Sequence, residues 1–163
     1  MQVIESVPED DFIEWIINEL TQRTLDEVAG SEEVQRRFRP IRDEHQRTLE
    51  TIRRKISYAR GVVRFDLADE QLEGFNKFIP YYLHPETTYS VAVTRGAKRT
   101  KISVGSNPFS PRPRRHNIAT ICERYGGGGH AVVGAVSFAP DELERAREAA
   151  REIVAELEEG FVE

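Results

Sequence analysis

The sequence has a single cysteine, a single methionine and a single tryptophan among 163 residues. One cysteine, Cys122, cannot form an internal disulfide, and such usage suits a reducing cytoplasm. No apolar run approaches the length of a membrane span, and residues 1–5 have none of the features of a signal peptide. We therefore expect a cytoplasmic protein that has no membrane partner.

Metal-ligating residues are also scarce. The histidines stand alone at positions 45, 84, 116 and 130, and none has zinc-ligand spacing to another or to Cys122. The run Asp43-Glu44-His45 lies in a charged helical pattern and is interpreted as surface, with metal binding as the alternative. Asp66 and Asp69 bracket the end of a predicted strand, but two carboxylates do not complete a site. The sequence thus predicts no metal or cofactor in this chain.

Acidic side chains are missing from residues 87–122, although the net charge of the chain is −5. Residues 1–35 instead contain ten acidic side chains and one basic one. A positive segment between acidic ones favours a phosphorylated ligand or nucleic acid as partner. The basic residues of that segment are Arg95, Lys98, Arg99, Lys101, Arg112, Arg114 and Arg115.

The basic segment leads into four consecutive glycines and a histidine, Gly126, Gly127, Gly128, Gly129 and His130. Four glycines carry a large backbone-entropy cost, and their exposed N–H groups can wrap an anion that a Cβ would push away. The order helix, glycines, strand fits neither the dinucleotide fingerprint nor a Walker loop. The run therefore predicts a phosphate site, with a flexible connector and a structural cap at His130 as alternatives.

Hydrophobic periodicity predicts the order of elements. One helix is expected from Pro8 to about Val28, and a second through Ile56 that Pro40 should break or kink near Phe38. From Gly61 onward the pattern predicts β-α-β-β-α-β-α. The expected elements of this part are a strand over 62–67, a short helix over 69–75, strands over 88–94 and 100–104 joined by a hairpin, a helix capped by Asn117 that ends at a left-handed Gly126, a strand over 132–138 and a helix from 140–141 to 159.

These elements predict an α/β fold with a small mixed β-sheet and packed helices, preceded by a helical N-terminal segment. The expected boundary divides residues 1–57, a helical linker or the end of a missing domain, from residues 58–163. Cys122 falls on the apolar face of the helix before the glycines and is expected to pack in the core.

The segment Tyr125-Gly126-Gly127-Gly128-Gly129-His130, with small apolar residues after it, resembles the signature of the DHH-associated (DHHA) domain. That domain is the C-terminal part of DHH phosphoesterases, which include nanoRNA and cyclic-dinucleotide hydrolases and exopolyphosphatase-like proteins. The resemblance covers about residues 58–160. It implies that the glycine loop and His130 close over a substrate phosphate or nucleotide, while Mn²⁺ or a similar ion and the catalytic residues belong to a separate DHH domain.

Two departures from the family pattern concern the ligand. The family commonly has Ala-Ala-Gly three residues after the histidine, where this chain has Val133-Gly134-Ala135. It also often carries Arg-Ser before the signature helix, where this chain has Gly105-Ser106 followed by Asn107. An arginine fork for a phosphate is therefore missing there. Arg112, Arg114 or Arg115 could compensate, or could lie on a solvated loop. The predicted ligand-binding residues are Ser106, Asn107, Arg114, Arg115, Gly126, Gly127, Gly128, Gly129 and His130.

The resemblance implies the substrate-binding domain of a DHH-type phosphoesterase, which binds a phosphorylated nucleotide or a short single-stranded nucleic acid. No Asp-His-His occurs in the chain, so hydrolysis is expected only with a DHH catalytic domain, in cis or in trans. The alternative is a stand-alone nucleotide-binding or nucleic-acid-binding module without catalysis. A homodimer is possible in either case.

Overall fold

The computed structural model describes residues 9–70, 72, 74–159 and 161. Two compact units divide the chain, Met1–Arg47 and Thr48–Glu163. No helix in the described part of the chain is long and apolar enough to cross a membrane. The prediction of an α/β fold with a mixed sheet and N-terminal helices is confirmed.

The N-terminal unit is helical. Helix α1 spans Asp10–Leu20 and α2 spans Leu25–Ala29. Helix α3 spans Glu32–Lys55, so it begins in this unit and ends in the next. The prediction of one helix from Pro8 to Val28 is wrong, because Thr24 starts a new helix, and Pro8 lies outside the described residues. The Thr24 hydroxyl accepts from the Glu27 N–H, and the Glu27 carboxylate accepts from the Thr24 N–H at 2.8 Å, which is a capping box.

Helix α3 runs through Pro40 without interruption, so of the predicted break or kink near Phe38 the break does not occur. A proline inside a helix removes one backbone hydrogen bond and crowds the preceding turn. Here Phe38 and Ile41, on either side of it, pack against the buried side chains of Phe12 and Ile16. Tertiary packing of an apolar face is the main source of helix stability in proteins, and it outweighs the local cost of the proline.

The C-terminal unit is built on a six-stranded sheet in the order β1-β2-β3-β4-β6-β5. Strands β2 and β3 are parallel, and every other neighbouring pair is antiparallel. The strands are β1 (Ser57–Ala59), β2 (Val62–Asp66), β3 (Tyr89–Arg95), β4 (Thr100–Ser106), β5 (Gly128–His130) and β6 (Val133–Phe138). The helices of this unit are α4 (Ile79–Leu83), α5 (Ile118–Glu123) and α6 (Leu143–Glu158).

The two faces of the sheet are covered differently. Helices α5 and α6 bury one face, where Ile118 and Ile153 pack with Ile102 and Val136. On the other face, the last turns of α3 and helix α4 cover Phe65 of β2 and Ala92 of β3. Strands β4, β6 and β5 are left open on that side, with Ser103, Val133 and Ser137 only partly covered or exposed. This side of the sheet is therefore partly open to solvent over these three strands.

Most of the elements predicted after Gly61 are present, including the hairpin, the cap at Asn117 and the last helix. Strands β1 and β5 and helix α4 were not predicted, because each has only three to five residues. The helix predicted over 69–75 is wrong at the described positions, where residue 72 and residues 74–76 are not helical. Gln71 and Glu73 lie outside the described residues.

Candidate functional site

The glycine run begins as the end of helix α5. Gly126 has φ +76°, so the left-handed conformation predicted there is confirmed. Its N–H donates to the carbonyl of Glu123 at 3.0 Å, and the Gly127 N–H donates to the carbonyl of Cys122 at 2.9 Å. These are the two bonds of a Schellman motif. Two of the four glycine amides are therefore engaged in the helix end, and the amides of Gly128 and Gly129 belong to the edge strand β5.

The positions of the run differ in whether packing requires a glycine there. A Cβ on Gly129 would stand 2.5 Å from the Cα of Gly134, and one on Gly127 would stand 3.0 Å from the Cα of Val136, with carbonyl oxygens of β6 closer still in both cases. Both positions are thus glycine because the chain runs directly against β6. A Cβ on Gly128 would meet nothing within 4 Å. Packing does not require a glycine at position 128.

A trough of about 770 Å³ lies over the open side of the sheet. Gly128 and Gly129 form part of its wall, and Lys101 and Ser103 of β4 are also among its lining residues. Its described lining residues include five cationic side chains and no carboxylate. These cations are Lys77, Arg95, Lys98, Arg99 and Lys101.

The hairpin cations are not neutralised within the fold. Arg95, Lys98 and Arg99 are exposed, and none of them forms an ion pair with any carboxylate in the described ranges. The hairpin holds them together, because the Gly96 N–H donates to the Arg99 carbonyl at 2.9 Å. Several like charges at one wall raise the local positive potential and concentrate anions there.

A second cavity of about 320 Å³ continues from the trough. The two share Phe75, Lys77, Ser103 and Val133 in their walls. The remaining walls of this second cavity are mostly apolar or aromatic, and we call it the aromatic pocket. Its other lining residues are Phe78, Tyr81, Ser90, Ala92, Val104, Gly105, Ser106, Pro108 and Val132.

His130 lies beside the trough on the edge strand. It is paired with Val133 of β6, which lines both cavities, and it follows Gly129 directly. Its side chain is exposed and has no hydrogen-bond partner within the described part of the chain. An imidazole in this position is available to donate to or accept from a ligand.

The other predicted residues do not all converge on the trough. The Ser106 hydroxyl lines the aromatic pocket and donates to the Val132 carbonyl at 3.0 Å. The Arg114 guanidinium donates to the carbonyl of Ala131, next to His130. The side chain of Arg115 instead lies over the ring of Phe161, 5.4 Å from its centroid. The Arg112 guanidinium also lies over the Phe161 ring, 6.0 Å from its centroid. Of the three arginines that could replace the missing fork, Arg114 is thus the one that contacts the residue next to His130.

Asn107 has a structural role in the fold. Its side chain is 7% exposed, and its amide donates to the carbonyls of Pro85 and Thr87 at 3.2 and 2.9 Å. Its side-chain oxygen accepts from the Phe109 N–H at 2.9 Å. These bonds satisfy both ends of the amide, and they fix the start of the loop that carries Arg114.

The carboxylates considered as metal ligands have a different role. Arg147 binds Asp66 at 2.6 Å and Asp69 at 2.9 Å. These ionised hydrogen bonds, the bond to Asp66 first, raise the pKa of the Arg147 guanidinium above its usual value. Across residues 9–70, 72, 74–159 and 161, no three His, Cys, Asp or Glu side chains are grouped so that they could hold a metal ion. The described residues therefore do not fit a two-metal centre.

Helix α5 is held rigidly at the base of the site. Cys122 is fully buried, and burial together with the charge of Glu123 raises the pKa of its thiol. The Tyr125 hydroxyl donates to Glu152 of α6 at 2.9 Å. Burial, followed by this bond, raises the pKa of the Tyr125 phenol. The residues that immediately precede the glycines are thus anchored to the core and to α6.

Sequence reasoning did not identify part of the site. Phe75 falls at the end of the helix predicted over 69–75, which is not formed there, and Lys77 and Phe78 follow it. They line a cavity together with residues of β4 such as Ser103, a proximity that depends on the tertiary fold. The basic content of the hairpin was visible, but its position beside Gly128 was not. The sequence signals that pointed to this trough were the glycine run and the lack of carboxylates over residues 87–122.

Comparison with known proteins gives similar structures. No protein-family model and no curated protein matches the chain. The pGpG-specific phosphodiesterase PggH from Vibrio cholerae is similar with a TM-score of 0.75 and 28% identity, over 89% of this chain and 50% of that one. An exopolyphosphatase-related protein from Bacteroides fragilis is similar with a TM-score of 0.50 and 14% identity, over 93% of this chain and 46% of that one.

This chain thus spans about half the length of these two proteins. The DHH domain of a member of the s1p family of ribosomal proteins is more distant, with a TM-score of 0.48 and 12% identity over 75% of this chain and 33% of that one. The likeness to PggH covers most of the chain and agrees with the signature at residues 125–130. We conclude that this chain has a fold of the DHH/DHHA type.

Proposed function

We propose that residues 58–163 are the substrate-binding domain of a DHH-type phosphoesterase and bind a phosphorylated nucleotide or a short single-stranded nucleic acid in the trough. The observation that carries this proposal is the composition of the trough wall. Its described residues provide five cations, no carboxylate and the open backbone of Gly128.

The charge of the wall selects an anion. Cations without a carboxylate partner have no ion pair to break when a phosphate arrives, so the attraction is not offset by the breaking of another interaction. Binding to several phosphates releases counterions and gives an affinity that falls steeply with salt. Gly128 lets the backbone approach such a ligand closely. His130, two residues further along the same edge strand, and Arg114, which donates to the carbonyl of Ala131, are the further donors that we propose for the ligand.

Hydrolysis in this proposal requires a DHH catalytic domain, in cis or in trans, which would supply Mn²⁺ or a similar ion and activate water. The described residues of this chain bind and orient the phosphorylated end, and they perform no chemical step. PggH is named as pGpG-specific. That name makes a 5′-phosphorylated dinucleotide the natural first probe.

The alternative proposal is a stand-alone binding module without catalysis. Both proposals predict salt-dependent binding by this chain, but only the first predicts hydrolysis when a DHH domain and manganese are added. Cytoplasmic location and a homodimer remain predictions, and sedimentation of the purified chain would test the second of these.

The experiment is a titration of a fluorescently labelled 5′-phosphorylated dinucleotide against the wild type, Lys98→Ala, Arg99→Ala and His130→Ala. The control is Arg39→Ala, which removes one exposed cation of α3 outside the trough. We expect each of these three variants to weaken binding by about tenfold or more, since a charge-assisted hydrogen bond contributes roughly 1.5–3 kcal/mol.

The titration is repeated over a range of salt concentrations. A plot of log affinity against log salt concentration has a negative slope. We expect the magnitude of this slope to decrease by about 0.7 for each phosphate contact that a removed cation had made, and to stay the same in Arg39→Ala. Equal affinity of the wild type and all three trough variants would refute the trough as the binding site. Equal affinity of the wild type and His130→Ala alone would refute only the role of His130.

A further inference from the structure

The aromatic pocket exposes large apolar side chains around a single concavity. Phe78 is 45% exposed, and Val132 and Val133 are 50% and 46% exposed. All three lie in the walls of the same cavity of about 320 Å³. Large apolar groups scattered singly over a surface are ordinary, but three around one concavity indicate a ligand or partner.

Two of the residues that line the pocket, Phe75 and Tyr81, are fixed by contacts with the core of the C-terminal unit. The Phe75 ring packs edge-on against the Phe65 ring, with 5.2 Å between the two ring centroids, within the cluster under α4. The Tyr81 hydroxyl lies 2.9 Å from the Ser90 hydroxyl, and a Cβ at Gly105 would stand 2.6 Å from that Tyr81 oxygen. Gly105 therefore lets Tyr81 approach β4 closely. A pocket with fixed walls can bind a flat ligand with little ordering cost.

The pocket opens into the basic trough. Phe75, Lys77, Ser103 and Val133 are shared walls, and the Lys77 ammonium lies 5.3 Å from the centroid of the Phe78 ring. The Ser103 hydroxyl stands at the junction and has no hydrogen-bond partner in the described ranges. A ligand that fills both cavities must have an apolar, flat part joined directly to anionic groups. A nucleotide has this combination, and inorganic polyphosphate does not.

We propose that the aromatic pocket binds a nucleobase of the ligand, with Phe78 as the stacking surface, while the adjoining trough binds its phosphates. This proposal rests on the proposed function, because it assumes that the trough binds phosphates. It adds a residue that determines specificity and excludes inorganic polyphosphate as the preferred ligand. Stacking of one base on an aromatic side chain contributes about fivefold or more to affinity.

The test compares three probes of similar charge with the full chain. They are a 5′-phosphorylated dinucleotide, the same backbone without its bases, and inorganic tripolyphosphate. The variants are Phe78→Ala, Phe78→Trp and the control Tyr82→Ala, which removes an aromatic ring that is 71% exposed and is not among the described residues lining either cavity. Phe78 is exposed enough for its truncation to leave the fold intact, which circular dichroism checks.

We expect the wild type to bind the dinucleotide more tightly than the abasic probe or tripolyphosphate by about fivefold or more, from the contribution of one stacked base. Phe78→Ala should remove this preference without changing the affinity for the abasic probe. Phe78→Trp should retain the preference, and Tyr82→Ala should not change any affinity.

Four results would overturn the proposal. Equal, salt-dependent affinity for all three probes would refute the base pocket and leave the phosphate trough intact. An equal loss for every probe in Phe78→Ala would assign Phe78 to the trough. Absence of binding by any probe would refute the proposed function, and the base pocket with it. Dissociation of a dimer by Phe78→Ala, with probe affinities unchanged, would show that a second copy of the chain covers the pocket.

Discussion

Replacing the four glycines one at a time with alanine separates packing from ligand contact. Gly129→Ala would place a methyl 2.5 Å from the Cα of Gly134, where ordinary contacts of this kind are about 3.4–4 Å. The β5 and β6 backbones must therefore separate by about 1 Å. Since overpacking commonly costs about 1–3 kcal/mol and backbone cannot rotate away, we expect a loss of about 3 kcal/mol.

The other three positions give a graded comparison. Gly127→Ala also meets the backbone of β6 and should lose about 2 kcal/mol or more. Gly126→Ala meets no atom within 4 Å but must keep φ at +76°, which costs an L-residue about 1–2 kcal/mol. Gly128→Ala has open space and no positive φ, so its stability should stay within about 0.5 kcal/mol of the wild type.

The assay is labelling of the single cysteine in increasing urea. Cys122 is fully buried in the C-terminal unit, so its reaction with a thiol reagent reports the unfolding of that unit. With a urea dependence of about 1–3 kcal/mol per molar, a loss of about 3 kcal/mol lowers the midpoint by about 1–3 M. Circular dichroism on the same samples checks that the folded baselines agree.

Binding of the phosphorylated dinucleotide is then measured on the stable variants. Gly128→Ala should weaken binding while its unfolding midpoint is unchanged, because the new methyl projects into space that the trough uses. A Gly128→Ala protein as unstable as Gly129→Ala would refute the packing argument. A stable Gly128→Ala protein with wild-type affinity would refute close approach of the ligand to this backbone.

Three further changes test the scaffold. Arg147→Met removes the partner of Asp66 and should lower the free energy of unfolding by about 1 kcal/mol, measured in urea. Asn117→Ala removes the acceptor for the Ala119 N–H at the start of α5 and should cost about 1 kcal/mol in the same assay. Hydrogen bonding from Thr24, above all from its backbone, lowers the pKa of Glu27. The capping box therefore stabilises α2 above the usual carboxyl range and stops doing so as the pH falls. The difference in ellipticity between wild type and Glu27→Gln should vanish at low pH, and a constant difference would contradict this.

Strong local signals in the sequence were sufficient to predict many of the helices, strands and turns. The cap at Asn117, the left-handed Gly126 and the hairpin from Arg95 to Thr100 each depend on a few neighbouring residues, and each is present. The predictions fail where contacts between residues far apart in the sequence determine the local structure. The sequence predicts that Pro40 breaks or kinks α3, but the helix continues through it, and Phe38 and Ile41 pack against Phe12 and Ile16.

The candidate site shows the same division. The glycines, His130 and the carboxylate-free segment stand out in the sequence because composition and spacing alone reveal them. The sequence could not show that the amides of Gly126 and Gly127 close a helix end while Gly128 faces open space. Nor could it separate Arg114, beside the glycine run, from Arg115, beside Phe161.

By itself the sequence determined the fold class, the DHHA-like signature and the presence of a segment suited to anions. These properties depend on residue types and local periodicity, which can be read directly from the sequence. Only the tertiary structure decided which cations line the trough and which aromatic residues adjoin it. Lys77 and Phe78 reach β4 through burial of the cluster around Phe65, and such long-range packing leaves no mark in local sequence.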